Sequence, residues 1–521
     1  MRALVISILA ISTAALVAAG LGAGRGPAAP LCVGSQHGCY QTIESALDAA
    51  QDGDRIIVGH GTYTGGIVID KSIQLEGAGA EATVISGGGP VLTIGVAGAA
   101  SEPTVSISGV TITGGLNTST VALGGGVYVP ASSGGLGATV TIADSIVTGN
   151  RAAPTVAAPI GPPCPGGPCA FALGSGGGID NAGTMTLRNV LVTNNQAGSD
   201  VASDADGGGV MNERQAILVL SRSVVSGNVA RVTPPNGRFG EGGGVFTRRG
   251  STLTIDDSSI SGNSVEFSTS FPTDIPGGVL AQAGGIKIGG DESTLVTIRN
   301  SSISRNSVLA SSSGGDLIAF GGGIDDDGAL TLRDSTISDN RLIGTAVGSV
   351  FLDAGGIEVE GPTTIRNTRF TGNSVTAVAP TGTALAQAGA ILTATDQPVT
   401  ITDSIVSGNL ASSTTSTGAA TVQGAGILNA GLLKLRGVRV SDNAGSATGP
   451  SGSARGGGIW NSDLPDGPPV QLTLRDTSVT RNTLSASTGL AIQGGGIFTT
   501  FPVTLTDSRV AGNTPDDCVG C

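Results

Sequence analysis

Phe320-GGGIDDDGALTLRDSTISD-Asn340 decides how the chain folds, because its frame returns throughout the sequence. Leu330 and Leu332 alternate with Thr331 and Arg333, the period-2 pattern of a strand with one apolar side. An Asp334 corner follows, then Ile337, then Asn340 three residues later. The frame "apolar, four residues, apolar, two residues, Asn" occurs eleven times, with asparagines at 150, 195, 228, 263, 306, 340, 373, 409, 443, 482 and 513. Six of the ten gaps between these asparagines are 33 to 36 residues long. Each repeat opens on a small-residue triplet and an apolar residue, as in Gly321–Ile324, and "GGGI" recurs before Ile179, Ile459 and Ile497.

Three short strands per repeat cannot bury their apolar sides alone, and stacking repeat on repeat closes a shared core. The reading is an all-β, single-stranded parallel β-helix. Helical repeats of similar period are excluded by 87 glycines and the period-2 pattern. Asparagine at one turn of every coil would let side-chain amides bond up and down the stack, forming a ladder from Asn150 through Asn195, Asn228, Asn263, Asn306, Asn340, Asn373, Asn409, Asn443 and Asn482 to Asn513. Nine of the eleven repeats carry Asp or Asn at the preceding corner, among them Asp144, Asn189, Asp257, Asn300, Asp334, Asp403 and Asp507. These are residues that tolerate left-handed backbone, so the acids read as turn formers. The Ala/Ser/Thr/Gly-rich segments between each asparagine and the next glycine triplet should leave one edge, as a wall of loops or as an extra ragged strand layer.

The beginning differs. Ile43, Ala46, Leu47 and Ala50 fit a short amphipathic helix that would cap the first coil. About three irregular coils plus eleven repeats give roughly 14 coils, ~65 Å long at a strand spacing of about 4.8 Å. The expected organisation is a signal peptide over 1–29 and a β-helix over 30–521. Within the latter, 30–115 form the cap and first coils, 116–513 the repeats, and 514–521 a tail. Arg2, the apolar run from Ala3 and the small residues after it carry the leader assignment. No second apolar span follows, so the mature chain is expected to have no membrane span. An exported chain permits oxidation, and the six cysteines fall into three local pairs read as disulfides: Cys32 with Cys39, Cys164 with Cys169, and Cys518 with Cys521. The formal charge of −13 argues against nucleic acid.

Gly53-Asp54-Arg55-Ile56-Ile57-Val58 and Gly61-Thr62-Tyr63, after the candidate cap helix, resemble the opening of right-handed parallel β-helix proteins of the pectin-lyase-like superfamily. The "GGGI" and "SxxxxN" elements are similar to repeats of polymorphic outer-membrane proteins. The resemblance spans roughly Cys32–Asn513 and implies a right-handed coil. It implies no single activity, since the superfamily holds lyases, hydrolases and surface proteins without catalysis. The Arg-x-Pro-x-x-Arg segment of its pectate lyases does not occur outside the leader. The "GHG" at Gly59–Gly61 lacks the companion motifs of its polygalacturonases, and reads as a turn.

One acidic group stands apart. Registering coils on the residue after the glycines puts Lys287, Asp325 and Glu358 in one column, and Asp327 and Glu360 in the next, with Arg248 a coil earlier. Asp326 takes an inward or turn position. Asp325, Asp327, Glu358 and Glu360 should then cluster on one exposed face beside Lys287. Paired carboxylates serve glycoside hydrolysis, and such donors also suit calcium. The preferred reading is a solubilising patch, no catalytic residue and no cofactor. Trp460 stands alone at an outward position that could belong to a binding surface. The expected function is therefore a secreted or cell-surface, adhesin-like β-helix scaffold, monomeric, binding an extracellular glycan or protein. The alternative is a polysaccharide lyase or glycoside hydrolase using those acids.

Overall fold

The computed structural model describes residues 29–521 except 157–171, 234–236, 271–279, 464–466 and 468. Nearly all of the expected leader lies outside the described residues.

The chain winds into a parallel β-helix with three walls. The first wall is a sheet of 15 strands built from the "LTL" segments, such as Ala329–Arg333. The second has 14 strands from "TIS" segments such as Thr336–Ser338, and the third has 14 from the segments after the glycine triplets, such as Ile324–Asp326. Register is one repeat per rung: Leu332 pairs with Ile298 and Ile365, and Ile324 with Ile286 and Ile357. Those residues point inward and are wholly buried in one core running the length of the molecule. Burial of alternate apolar residues, about 25 cal/mol per Å² of area removed from water, drives the winding.

Corners are set by backbone chirality. Asp334 has φ 52°, and its counterparts Asp144, Asn189, Asp257, Asn300, Asp403 and Asp507 lie between 49° and 55°. Most side chains resist this left-handed region, whereas Asp and Asn tolerate it. The repeated aspartates are therefore corners of the coil.

The asparagines form one continuous chain of hydrogen bonds. Asn340 Oδ1 accepts from the Asn306 backbone N–H and from Asn306 Nδ2, both at 3.0 Å. Asn340 Nδ2 donates to Asn373 Oδ1 at 2.9 Å and to the Ile303 carbonyl at 3.0 Å. The pattern runs from Asn150 to Asn513, whose amide ends on Asp517 Oδ1. From Asn195 onward each amide makes four bonds in a buried interior, where an unmade bond is costly.

The segments between asparagine and glycine triplet take the strand-layer option, in regular form. They form two further parallel sheets of 11 strands each, one from segments such as Arg341–Ala346 and one from segments such as Leu317–Phe320. Face to face they make a fin with its own core of small residues, including Ala310, Ala346, Ala377 and Val375. At the start, helix α1 (Ile43–Ala49) buries Ile43, Ala46 and Leu47 over the first coil. Thr42 caps its N-terminus, and Lys71 Nζ donates to the Leu47 and Ala50 carbonyls at its C-terminal end.

Where the sequence suggests three disulfides, the described residues contain two, joining Cys32 to Cys39 and Cys518 to Cys521. The third expected pair, Cys164 and Cys169, lies within 157–171, outside the described residues.

Candidate functional site

Along the third wall every second residue after the glycines points away from the main core. Rung by rung this column reads Asp180, Met211, Phe246, Lys287, Asp325, Glu358, Leu392, Leu428, Trp460 and Phe498. The column is not exposed. The adjoining fin sheet folds over it, so that column and fin meet in a closed corner. From the fin side the corner receives Asp206, Glu241, Gln282, Phe320, Asp353 and Gln387, again in register.

This corrects the expectation of an exposed acidic face. Asp325 and Glu358 are 2% and 3% accessible, and Lys287 is 3%. Asp327 is half-buried, and only Glu360 stands exposed at the rim. Trp460 is also buried, packed with Leu428 and Phe498, which removes it from any outer binding surface. The physical reason is the fin, whose strands fold over this column once the rungs are stacked.

Lys287 organises the ionisable half of the corner. Its Nζ lies 3.0 Å from Asp325 Oδ2 and 3.0 Å from both Asp327 oxygens. Desolvation pulls the lysine down, but the carboxylates of Asp325 and Asp327 outweigh it and keep the ammonium charged. Burial pushes Asp325 up to about 6, against the pull of Lys287. Glu358 is driven well above the ordinary carboxylate range by burial and by the neighbouring charges of Asp325 and Asp353. Burial raises Asp353 to about 7 and Glu241 to about 8. Glu358 Oε2 and Asp353 Oδ1 are buried without a hydrogen-bond partner. Arg248, one coil before Lys287, binds Asp206 and, at 3.3 Å, Glu213, while lying over the Phe246 ring.

Asp326 points into the main core, with its carboxyl fully buried. Its Oδ1 accepts from Gly328 N–H at 3.0 Å and its Oδ2 from Thr363 Oγ1 at 3.0 Å. Asn181 and Asn429 occupy the same column on other rungs and make the same bond to the glycine two residues on, at 3.1 and 3.2 Å. Asp326 is an acid in an amide's place, and burial pushes it up to about 8. This inward column also carries short ladders, Asn181 to Asn212 at 3.0 Å and Asn429 to Asn461 at 2.7 Å, which the repeat frame did not reveal. The recurring "GGGIxN" at Asn181 and Asn461 is the signal that would have found them.

Among the described residues, no three His, Cys, Asp or Glu side chains converge in metal-binding geometry. Nor is any described helix long and apolar enough to cross a membrane.

No family model matches the chain, and no curated protein does. Solved structures that resemble it include the A-module of mannuronan C-5 epimerase AlgE4 from Azotobacter vinelandii, at 15% identity over 91% of this chain and 96% of that one, TM-score 0.30. The Dettilon tailspike protein is similar at 12% identity over 85% of this chain and 64% of its own, TM-score 0.30. A pectin methylesterase matches at 11% identity over 52% of this chain and 88% of its own, TM-score 0.25. Such values identify no family, and the β-helix assignment rests on the strand ladders themselves.

Proposed function

We propose that this protein is a non-catalytic β-helix scaffold that works outside the cell, presenting its stacked faces to a glycan or protein at the cell surface or envelope. One observation carries the reading. The acids best suited to chemistry, Asp325 and Glu358, lie inside a closed corner, with Asp325 held by Lys287, where no polymer can reach them. The local disulfides and the apolar leader sequence support an exported site of action. The likeness of the repeats to those of polymorphic outer-membrane proteins agrees with a surface role.

A second reading, a glycan-modifying enzyme, has one feature in its favour: carboxyls raised by burial sit beside an ion-paired lysine, as acid–base chemistry requires. Purified protein screened against acidic and neutral polysaccharides separates the two. The scaffold reading expects binding without turnover, unchanged in Asp325→Asn. Turnover that disappears in Asp325→Asn or Asp327→Asn would overturn it.

A further inference from the structure

The closed corner differs along its length. From Leu392 onward it is sealed by Leu392, Leu428, Trp460 and Phe498. Around Lys287 the same corner is sealed by carboxyls. Glu358 projects from the third wall and Asp353 from the fin, and each keeps a buried oxygen that nothing bonds. The charged groups facing the pair are Asp325, Glu360 and Lys287. With Asp327, the other ligand of Lys287, and Glu241 on the fin, six carboxyls share one ammonium. Fully ionised, the corner would hold like charges against each other in low dielectric, an arrangement that costs far more than it would in water. The fin has an apolar core apart from that of the β-helix, so the side chains between them can part while both cores stay packed.

We propose that the buried, unbonded carboxyls of Glu358 and Asp353 act as a proton-controlled latch, which lets the fin close on the third wall when protonated and releases it on these rungs when ionised. The sign follows from burial. A carboxyl raised in the closed form binds its proton more tightly there than when open, so closure is favoured in mild acid and lost as pH rises through about 7, the value to which burial lifts Asp353. An open corner presents Lys287 and its acids to solvent beside the fin. The latch is independent of whether the protein turns over a glycan.

The chain's only lysines, Lys71, Lys287 and Lys434, make the test direct. Lys287 is buried in the corner and Lys434 is exposed on the first wall. Amine acylation read by peptide mass spectrometry, as the ratio of Lys287 to Lys434, cancels the intrinsic pH dependence of the reagent. One carboxyl moving between about 7 closed and its ordinary 3.8 open raises that ratio about 30-fold from pH 5.5 to 8.5. Trp460 emission should stay constant, since the apolar half remains shut. In Asp353→Asn/Glu358→Gln the rise should shrink, what remains coming from Glu360 and Glu241, which burial also raises. Glu358→Leu, which copies Leu392 from the next rung, serves if that variant does not fold. A ratio flat with pH, an undiminished rise in the variants, or Trp460 exposure in step with Lys287 would each overturn the latch.

Discussion

Replacing Asn340 by alanine removes four hydrogen bonds at once. Oδ1 is lost as acceptor for the Asn306 backbone N–H and Nδ2, and Nδ2 as donor to Asn373 Oδ1 and the Ile303 carbonyl. A typical bond contributes about 1 kcal/mol net, and a donor left buried without a partner costs about 1–3 kcal/mol. The Asn306 residue is wholly buried, away from bulk solvent. Asn340→Ala should therefore cost about 4–6 kcal/mol locally. At 1.4 kcal/mol per tenfold, that is a loss of about three orders of magnitude or more in opening equilibrium at the rungs on either side. Repeat proteins couple mainly to nearest neighbours, so the defect should fade within a rung or two. Native-state hydrogen exchange reads this directly: amides at Ser307–Leu309 and Arg341–Ile343 should lose protection, and those near Asn482 should not. Thr364→Ala, an exposed change on the first wall, is the control and should move nothing. Protection near Asn340 within a factor of about three of wild type would refute the claim that the ladder is integral to the stack.

Other consequences follow from single contacts. Asp326→Asn keeps the Oδ1 bond to Gly328 and removes a carboxyl raised to about 8. A raised carboxyl stabilises below its unfolded value and loses that advantage as pH rises through about 8. The variant should therefore match wild type below about pH 4 and exceed it increasingly up to about pH 8 in urea midpoint, with about 6 kcal/mol as the ceiling. Lys287→Leu strands Asp325 and Asp327 and should cost about 3–5 kcal/mol in the same assay, whereas Lys287→Leu/Asp325→Leu should recover most of it by extending the apolar seal. Asp517→Ala takes away the acceptor for both Asn513 amide groups. Exchange protection should then fall at the last rung by about tenfold or more, and remain intact at Asn443.

The β-helix was open to reading because its determinants repeat in the sequence itself. Leu332, Ile337 and Asn340 recur at fixed offsets, and each has a local physical role. Leu332 fills the core, Ile337 fills it again after a corner, and Asn340 pairs an amide with the rungs on either side. The fin was legible only as one of two options, a wall of loops or an extra strand layer, and its closing over the third wall was not. Its inward residues are Ala346, Ala377 or Ala379, small enough to look like loop composition, and their partners become visible only once rungs are stacked. Burial of Asp325 and Glu358 depended on that closure and was missed with it. One clue lay in the column itself: Leu392, Leu428, Trp460 and Phe498 occupy the same outward position in later repeats, and such a run of apolar residues implies a cover.

Carbodiimide labelling of carboxyls in the native protein, mapped by mass spectrometry, tests most directly whether these acids are scaffold or chemistry. At about pH 5.5, where the corner is closed, corner aspartates Asp334 and Asp403 are exposed and should label readily, while Asp325, Asp326 and Glu358 should stay unmodified until the protein is denatured. Native labelling of Asp325 and Glu358 at the rate of Asp334 would place them on an open face, and would return them to candidacy as catalytic acids.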